Sequence, residues 1–259
     1  MTVLGTRATT RATTRATNRA TVQASAGPRV AALLEGPLRP ATVVHRGRDA
    51  VYLDHDGWCL GVVAGPATRV PCALAVPGPL PLDTVTGATI GDGALVLDGV
   101  GTVRVGRLVS TTVPKLHVQP ASVVQVLRTC GETAATELGS LTSRIATHPE
   151  DLIGRGSGLT PLGDDVLAGW AATSYALGAP VVLPDARQRA TLLSATLLDC
   201  ARRGEVLPEF RALVVALHHP DASADRRSEI ADAAVALADV GHTSGAGLLL
   251  GAALRLEAP

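Results

Sequence analysis

The residues best placed to do chemistry lie in one stretch, Leu152-Ile153-Gly154-Arg155-Gly156-Ser157-Gly158-Leu159-Thr160-Pro161-Leu162-Gly163-Asp164-Asp165. Gly154, Gly156 and Gly158 alternate, so the backbone can take positive φ and approach a ligand closely. Thr160 then reads as a helix N-cap. Pro161 follows where a missing N–H costs nothing. Val166, Leu167, Trp170 and Ala171 continue at helical spacing. A glycine loop feeding a helix start, with Gly163 in its first turn, leaves N–H groups without intrahelical partners, which is a ready anion site.

Asp164 and Asp165 fall in the first turn of that helix. One reading is that they only complement the helix dipole. Beside a bound anion they call for more. Either a Mg²⁺-type ion bridges them to the ligand, or one of them acts as a general base or holds a ligand amide. Gly241-His242-Thr243-Ser244-Gly245 repeats the arrangement near the C-terminus. Thr243 or Ser244 can cap the next helix, Gly245 permits a tight turn, and His242 offers a proton donor or acceptor near neutral pH. If both loops face one cleft, Asp164, Asp165 and His242 are the candidate catalytic groups. Gly154, Gly156, Gly158, Thr160, Gly163, Thr243, Ser244 and Gly245 would then line the ligand.

Several familiar chemistries are excluded. The first loop lacks the Gly-Lys-Ser/Thr ending of a P-loop, and Lys115 is the chain's only lysine. It also lacks a full Gly-x-Gly-x-x-Gly after a convincing strand, so a dinucleotide fold is not indicated. Ser157 and Ser244 are not in a nucleophile elbow. Cys59, Cys72, Cys130 and Cys200 form no CxxC pair and read as buried small hydrophobes of a reducing compartment. His45, His55, His117 and His148 have no metal-ligand spacing, and His218-His219 before Pro220 reads as surface. No run reaches the 18 or so apolar residues of a membrane helix, so the cytoplasm is the expected location. Neither nucleic acid nor a membrane is an expected partner.

The elements that must position the two loops are legible from pattern. Of 259 residues, 46% are hydrophobic but only 2% aromatic, so the core is built from Ala, Val and Leu. Residues 6–21 repeat Thr-Arg-Ala-Thr three times and close with Asn-Arg-Ala-Thr, without hydrophobic period, so residues 1–27 are expected to be a disordered extension. Four of the 23 basic residues and none of the 23 acidic ones lie there, and the remainder nets −4. Residues 28–118 carry short strands: 42–44, then 50–53 and 58–63 around Asp54-His55-Asp56-Gly57, then 94–97 and 102–105 around Asp98-Gly99. Pro71, Pro77, Pro79 and Pro81 mark loops. Residues 119–259 are helical, with helices expected over 121–147, from Pro161 to about Gly178, and over 185–203, 208–217, 228–240 and 246–256. The expected class is α+β: a β-rich N-terminal half, as an antiparallel sheet or small barrel, followed by an all-helical C-terminal half carrying the glycine loops.

Leu-Ile-Gly-x-Gly-x-Gly-Leu-Thr-Pro-x-Gly-Asp-Asp, here 152–165, resembles the AllH-type family, the third subunit of oxamate carbamoyltransferase. Gly-His-Thr-Ser-Gly at 241–245 and the pattern Thr191, Ser194, Leu197-Leu198, Gly204 carry the resemblance further, over about residues 28–256, with the β-rich half matching loosely. It implies a subunit of a purine-degrading enzyme that moves a carbamoyl group between oxalurate and phosphate, giving oxamate and carbamoyl phosphate, and that works with partner subunits. On that implication the first loop would cradle phosphate or a carboxylate, and the aspartates would orient an amide nitrogen or a cation. His242, Thr243 and Ser244 would close the other side. Mg²⁺ is the one cofactor considered, and the sequence leaves the metal requirement open. The chain departs from the family pattern at Arg155, Ser157, Leu162 and Gly247, the last standing where an Asp is expected. The alternative reading is a non-catalytic small-anion-binding or scaffold subunit.

Overall fold

The computed structural model describes residues 20–117, 121–179, 181–218 and 224–258. Most of the Thr-Arg repeat, and the expected helix stops at Pro180 and His219-Pro220, lie outside the described residues.

Eight strands close into a barrel: β1 (Thr21–Ala26), β2 (Arg39–Arg46), β3 (Ala50–His55), β4 (Trp58–Ala64), β5 (Ala73–Val76), β6 (Ala88–Gly91), β7 (Ala94–Leu97) and β8 (Gly101–Leu108). Their order around the barrel is β1-β5-β4-β3-β2-β6-β7-β8. The expected small barrel is found, but it is mixed rather than antiparallel. β1 runs parallel to β8 and β5 parallel to β4, while the other pairs are antiparallel. Pattern reading cannot distinguish these cases, because orientation is set by the crossovers and not by alternation. β1 itself falls within 1–27, the stretch expected to be disordered. Its Ala24 and Ala26 are small but fully enclosed, and its backbone is paired on both sides. Alanine carries little strand signal, so ladder pairing rather than side-chain pattern makes this strand.

The β3–β4 hairpin turns at Asp56-Gly57 with φ of 53° and 78°, the double positive φ that two-residue hairpins need. Asp92-Gly93, at 52° and 72°, makes an equivalent hairpin between β6 and β7 that the sequence reading passed over. Leu53, Leu60, Leu74, Ile90, Leu95 and Leu97 fill the barrel. Helix α1 (Pro28–Leu34) adds Val30 and Leu34 to the same core.

The helical half contains α2 (Ala121–Cys130), α3 (Glu132–Leu138), α4 (Leu162–Ala176), α5 (Leu192–Arg202), α6 (Pro208–His218), α7 (Ala224–Ala238) and α8 (Ser244–Glu257). The helix expected over 185–203 begins only at Leu192, because the Thr191 side chain caps there by accepting the Ser194 N–H at 3.0 Å. The stretch expected as helix over 121–147 is α2, α3 and a 3-10 turn at 139–144, divided at Gly131 and Gly139. α4 is buried almost throughout, and it crosses α8 at backbone contact. A Cβ on Gly169 would lie 2.1 Å from the Leu248 carbonyl oxygen, and one on Gly251 2.0 Å from that of Val166. The barrel docks on this unit through α5. The Cys59 N–H donates to Thr196 Oγ1 at 3.0 Å, and Tyr52, Cys59, Cys72, Leu193 and Cys200 share one apolar cluster.

Gly251→Ala should therefore force α4 and α8 apart and lower stability by about 1–3 kcal/mol or more. Gly57→Ala, at a turn with nothing within 4 Å, should lose only the smaller positive-φ penalty. Urea unfolding of the two variants checks the order.

Candidate functional site

The first loop adopts the conformation that its glycines allow. Gly154, Gly156 and Gly158 have φ of 71°, 107° and 91°. Gly154 is fixed by packing as well, since its Cβ would meet the Arg189 carbonyl oxygen at 2.2 Å. The loop then folds back onto its own helix. Gly163 N–H donates to the Arg155 carbonyl at 2.8 Å, and Gly154 N–H donates to Asp164 Oδ1 at 2.8 Å. Asp164 Oδ2 accepts from Ser194 Oγ at 2.7 Å. Asp164 is 2% exposed, and burial raises its pKa while the Ser194 and Gly154 donors restrain the rise. Both its oxygens are engaged, so Asp164 ties loop, α4 and α5 together and has no free oxygen for a ligand. The N–H groups from Gly156 to Thr160 make no hydrogen bond within the described chain.

Thr160 does not cap α4. Pro161 is the N-cap residue, with no side-chain cap bond, because the Thr160 hydroxyl is bonded instead to Ser244 Oγ at 3.0 Å. Thr243 precedes α8 and likewise makes no side-chain cap bond, so neither Thr243 nor Ser244 plays the expected capping part. The Thr160–Ser244 contact joins the two glycine loops, 84 residues apart in sequence. Beneath that contact lies Asp165.

Asp165 is 6% exposed and its Oδ2 has no hydrogen-bond partner. Burial pushes its pKa up to about 7, and the neighbouring Asp164 charge adds to the rise. The Ser244 and Thr160 hydroxyls lie close enough to temper it. They bond to each other, and neither completes a bond to Oδ2. Gly247 packs against Asp165, where a Cβ would approach Asp165 Cβ to 2.8 Å. An Asp at 247 would have no room in this arrangement.

Asp165, Thr160 and Ser244 line a cavity of about 220 Å³ between the helical half and the barrel. Its other walls are mostly apolar, with Leu159, Leu193, Phe210 and Leu248 from the helical side and Tyr52 and Val70 from the barrel. The structure thus brings Thr160, Asp165, Ser244 and Gly241 to one cavity. Gly154, Gly156, Gly158, Gly163, Asp164, Thr243 and Gly245 are not part of its lining, and His242 is exposed and outside it as well. Gly245 is demanded by packing, since its Cβ would fall 1.9 Å from the Leu237 carbonyl oxygen. Sequence reasoning gave Ser194 and Thr191 no role of their own. Their spacing of three, an N-cap signature, was the available signal. Among the described residues no three His, Cys, Asp or Glu side chains cluster as metal ligands.

Residues 152–256 match the family model of the oxamate carbamoyltransferase subunit AllH. No curated protein and no solved structure gives a significant match. The AllH match opens on the first glycine loop and runs into α8, so it spans both loops, Asp164, Asp165 and the Thr191–Ser194 cap, and leaves the barrel outside. Among the described residues no helix is long and apolar enough to cross a membrane.

The raised pKa of Asp165 makes stability depend on pH. In the unfolded chain this carboxyl loses its proton near 3.8, and in the folded chain near 7. Between those values the unfolded state releases the proton first. The stability contributed is therefore full below about 4 and falls as pH rises to 7, by about 4 kcal/mol at most. Asp165→Asn removes this dependence, so the variant should gain on wild type from pH 5 to about pH 7 in thermal unfolding and level off above it. A difference that stays constant with pH would mean that Asp165 titrates normally.

Proposed function

We propose that the chain is a subunit of an oxamate carbamoyltransferase-like complex, in which a carbamoyl group passes between oxalurate and phosphate, and that the Asp165 cavity takes the small anionic, amide-bearing ligand. The observation that carries this is Asp165: a buried carboxyl with one oxygen unpartnered, on a cavity wall, inside the stretch that matches AllH. An unpartnered acceptor in a mostly apolar cavity, whose lining also holds Glu205, suits an amide N–H, and the unpaired oxygen gains the hydrogen bond it lacks. In the forward direction a phosphate oxygen bonds to the carbamoyl carbon, the C–N bond to oxamate breaks, and the leaving nitrogen takes a proton. A carboxyl that titrates near neutrality is suited to give that proton. The N–H groups from Gly156 to Thr160 offer donors for the ligand's negative charge at the loop. Asp164 positions the loop, and Ser244 and Thr160 position Asp165. Partner subunits supply whatever else turnover requires.

The second reading, a non-catalytic anion-binding or scaffold subunit in a complex, draws on the glycines. Gly154, Gly163 and Gly245 all face backbone carbonyls at about 2 Å from a built Cβ, so packing alone requires them. Thermal unfolding with phosphate, carbamoyl phosphate, oxamate and oxalurate, each with and without Mg²⁺, separates a ligand-binding chain from a purely scaffolding one. A ligand at about a hundred times its Kd adds roughly 2.7 kcal/mol. Oxamate or oxalurate should raise the midpoint, and Asp165→Asn should abolish the rise. Reconstitution with partner subunits then separates the two readings, because only the first predicts turnover that Asp165→Asn lowers.

A further inference from the structure

A second cavity, of about 280 Å³, lies at the junction of barrel and α6, and its chemistry is opposite to that of the Asp165 cavity. Arg69 from the β4–β5 crossover, Arg107 from β8 and Arg211 from α6 all line it, and no acidic residue does. The two cavities share the Val70, Pro71 and Val206 wall. Arg211 is anchored by its Nε donating to the Thr112 carbonyl at 3.1 Å. Arg69 and Arg107 form no ion pair or hydrogen bond within the described chain, although Arg69 also borders a groove that holds Glu209 and Asp239. Other arginines of this protein meet carboxylates, as Arg29 does Asp199 and Glu205 and Arg128 does Glu257.

The placement of Arg107 is specific. The β1–β8 ladder runs in step to Ala24↔Val105 and then jumps to Ser25↔Arg107, so one residue, Gly106, is bulged out. A bulge re-aims the side chains that follow it. Gly106 permits this one closely, since a Cβ there would meet Gln23 Oε1 at 2.5 Å. Three like charges round one cavity repel one another, and an anion between them removes that cost. Arginine's planar fork of donors matches tetrahedral oxyanions in particular.

We propose that this arginine-lined cavity is a binding site for a doubly charged phosphate group, separate from the Asp165 cavity. Ser110 and Thr111 on its lining offer hydroxyl donors beside the three guanidinium groups. Isothermal titration of the full chain with inorganic phosphate at fixed ionic strength tests it. Wild type should bind saturably, and Arg69→Gln with Arg107→Gln should weaken binding at least tenfold. Asp165→Asn should bind phosphate as wild type does. Because both arginines are exposed and unpaired, the double variant should melt at or above the wild-type temperature in phosphate-free buffer. Unchanged affinity in the double variant, or no saturable binding by wild type, would overturn the proposal. Loss of binding in Asp165→Asn alone would also overturn it, and would place phosphate at the first cavity, where the proposed function would accept it.

Discussion

The contact between α4 and α8 is the constraint on which the site depends. Gly169 and Gly251 let the two backbones touch, with no space for a methyl group between them. Gly247 extends the contact up to Asp165, and Ser244 at the start of α8 then reaches Thr160 across the gap. Moving the helices apart by the width of one side chain would separate these hydroxyls and open Asp165 to water. The burial that this closeness produces raises its proton affinity.

The two adjacent aspartates show how environment divides chemically identical groups. Asp164 turns toward α5 and the loop, where a backbone N–H and a serine hydroxyl satisfy it. Asp165 turns toward the cavity and keeps one oxygen unpaired. A buried acceptor without a donor is costly. On the proposed function, an amide-bearing ligand would offset that cost by supplying the missing bond. The first aspartate holds the scaffold and the second lines the cavity.

Much of this was legible in the sequence. The positive-φ glycines, the Asp56-Gly57 hairpin, the burial of Cys59, Cys72 and Cys200 and the helical character of the C-terminal half follow from local rules. Pattern failed where tertiary partners decide. Thr160 has the residue type of an N-cap but is drawn to Ser244, a contact between loops far apart in the chain. His242 has the right chemistry and neighbours, yet its side chain lies outside the cavity. β1 was hidden because alanines and polar residues make a strand only when neighbours pair with both edges. The glycines were read for ligand approach, and the structure shows that several of them are required first by helix packing.

The central claim is that Asp165 is a buried carboxyl with one oxygen unpartnered at a cavity wall. Carbon-13 NMR of the aspartate carboxyl groups, with the Asp165 signal assigned by its loss in Asp165→Asn, titrates it directly in the free protein. The account predicts a midpoint close to 7, about three units above an ordinary aspartate. A midpoint near 4 would contradict it, because the carboxylate would then be solvated or fully bonded and nothing would be left for a ligand to satisfy.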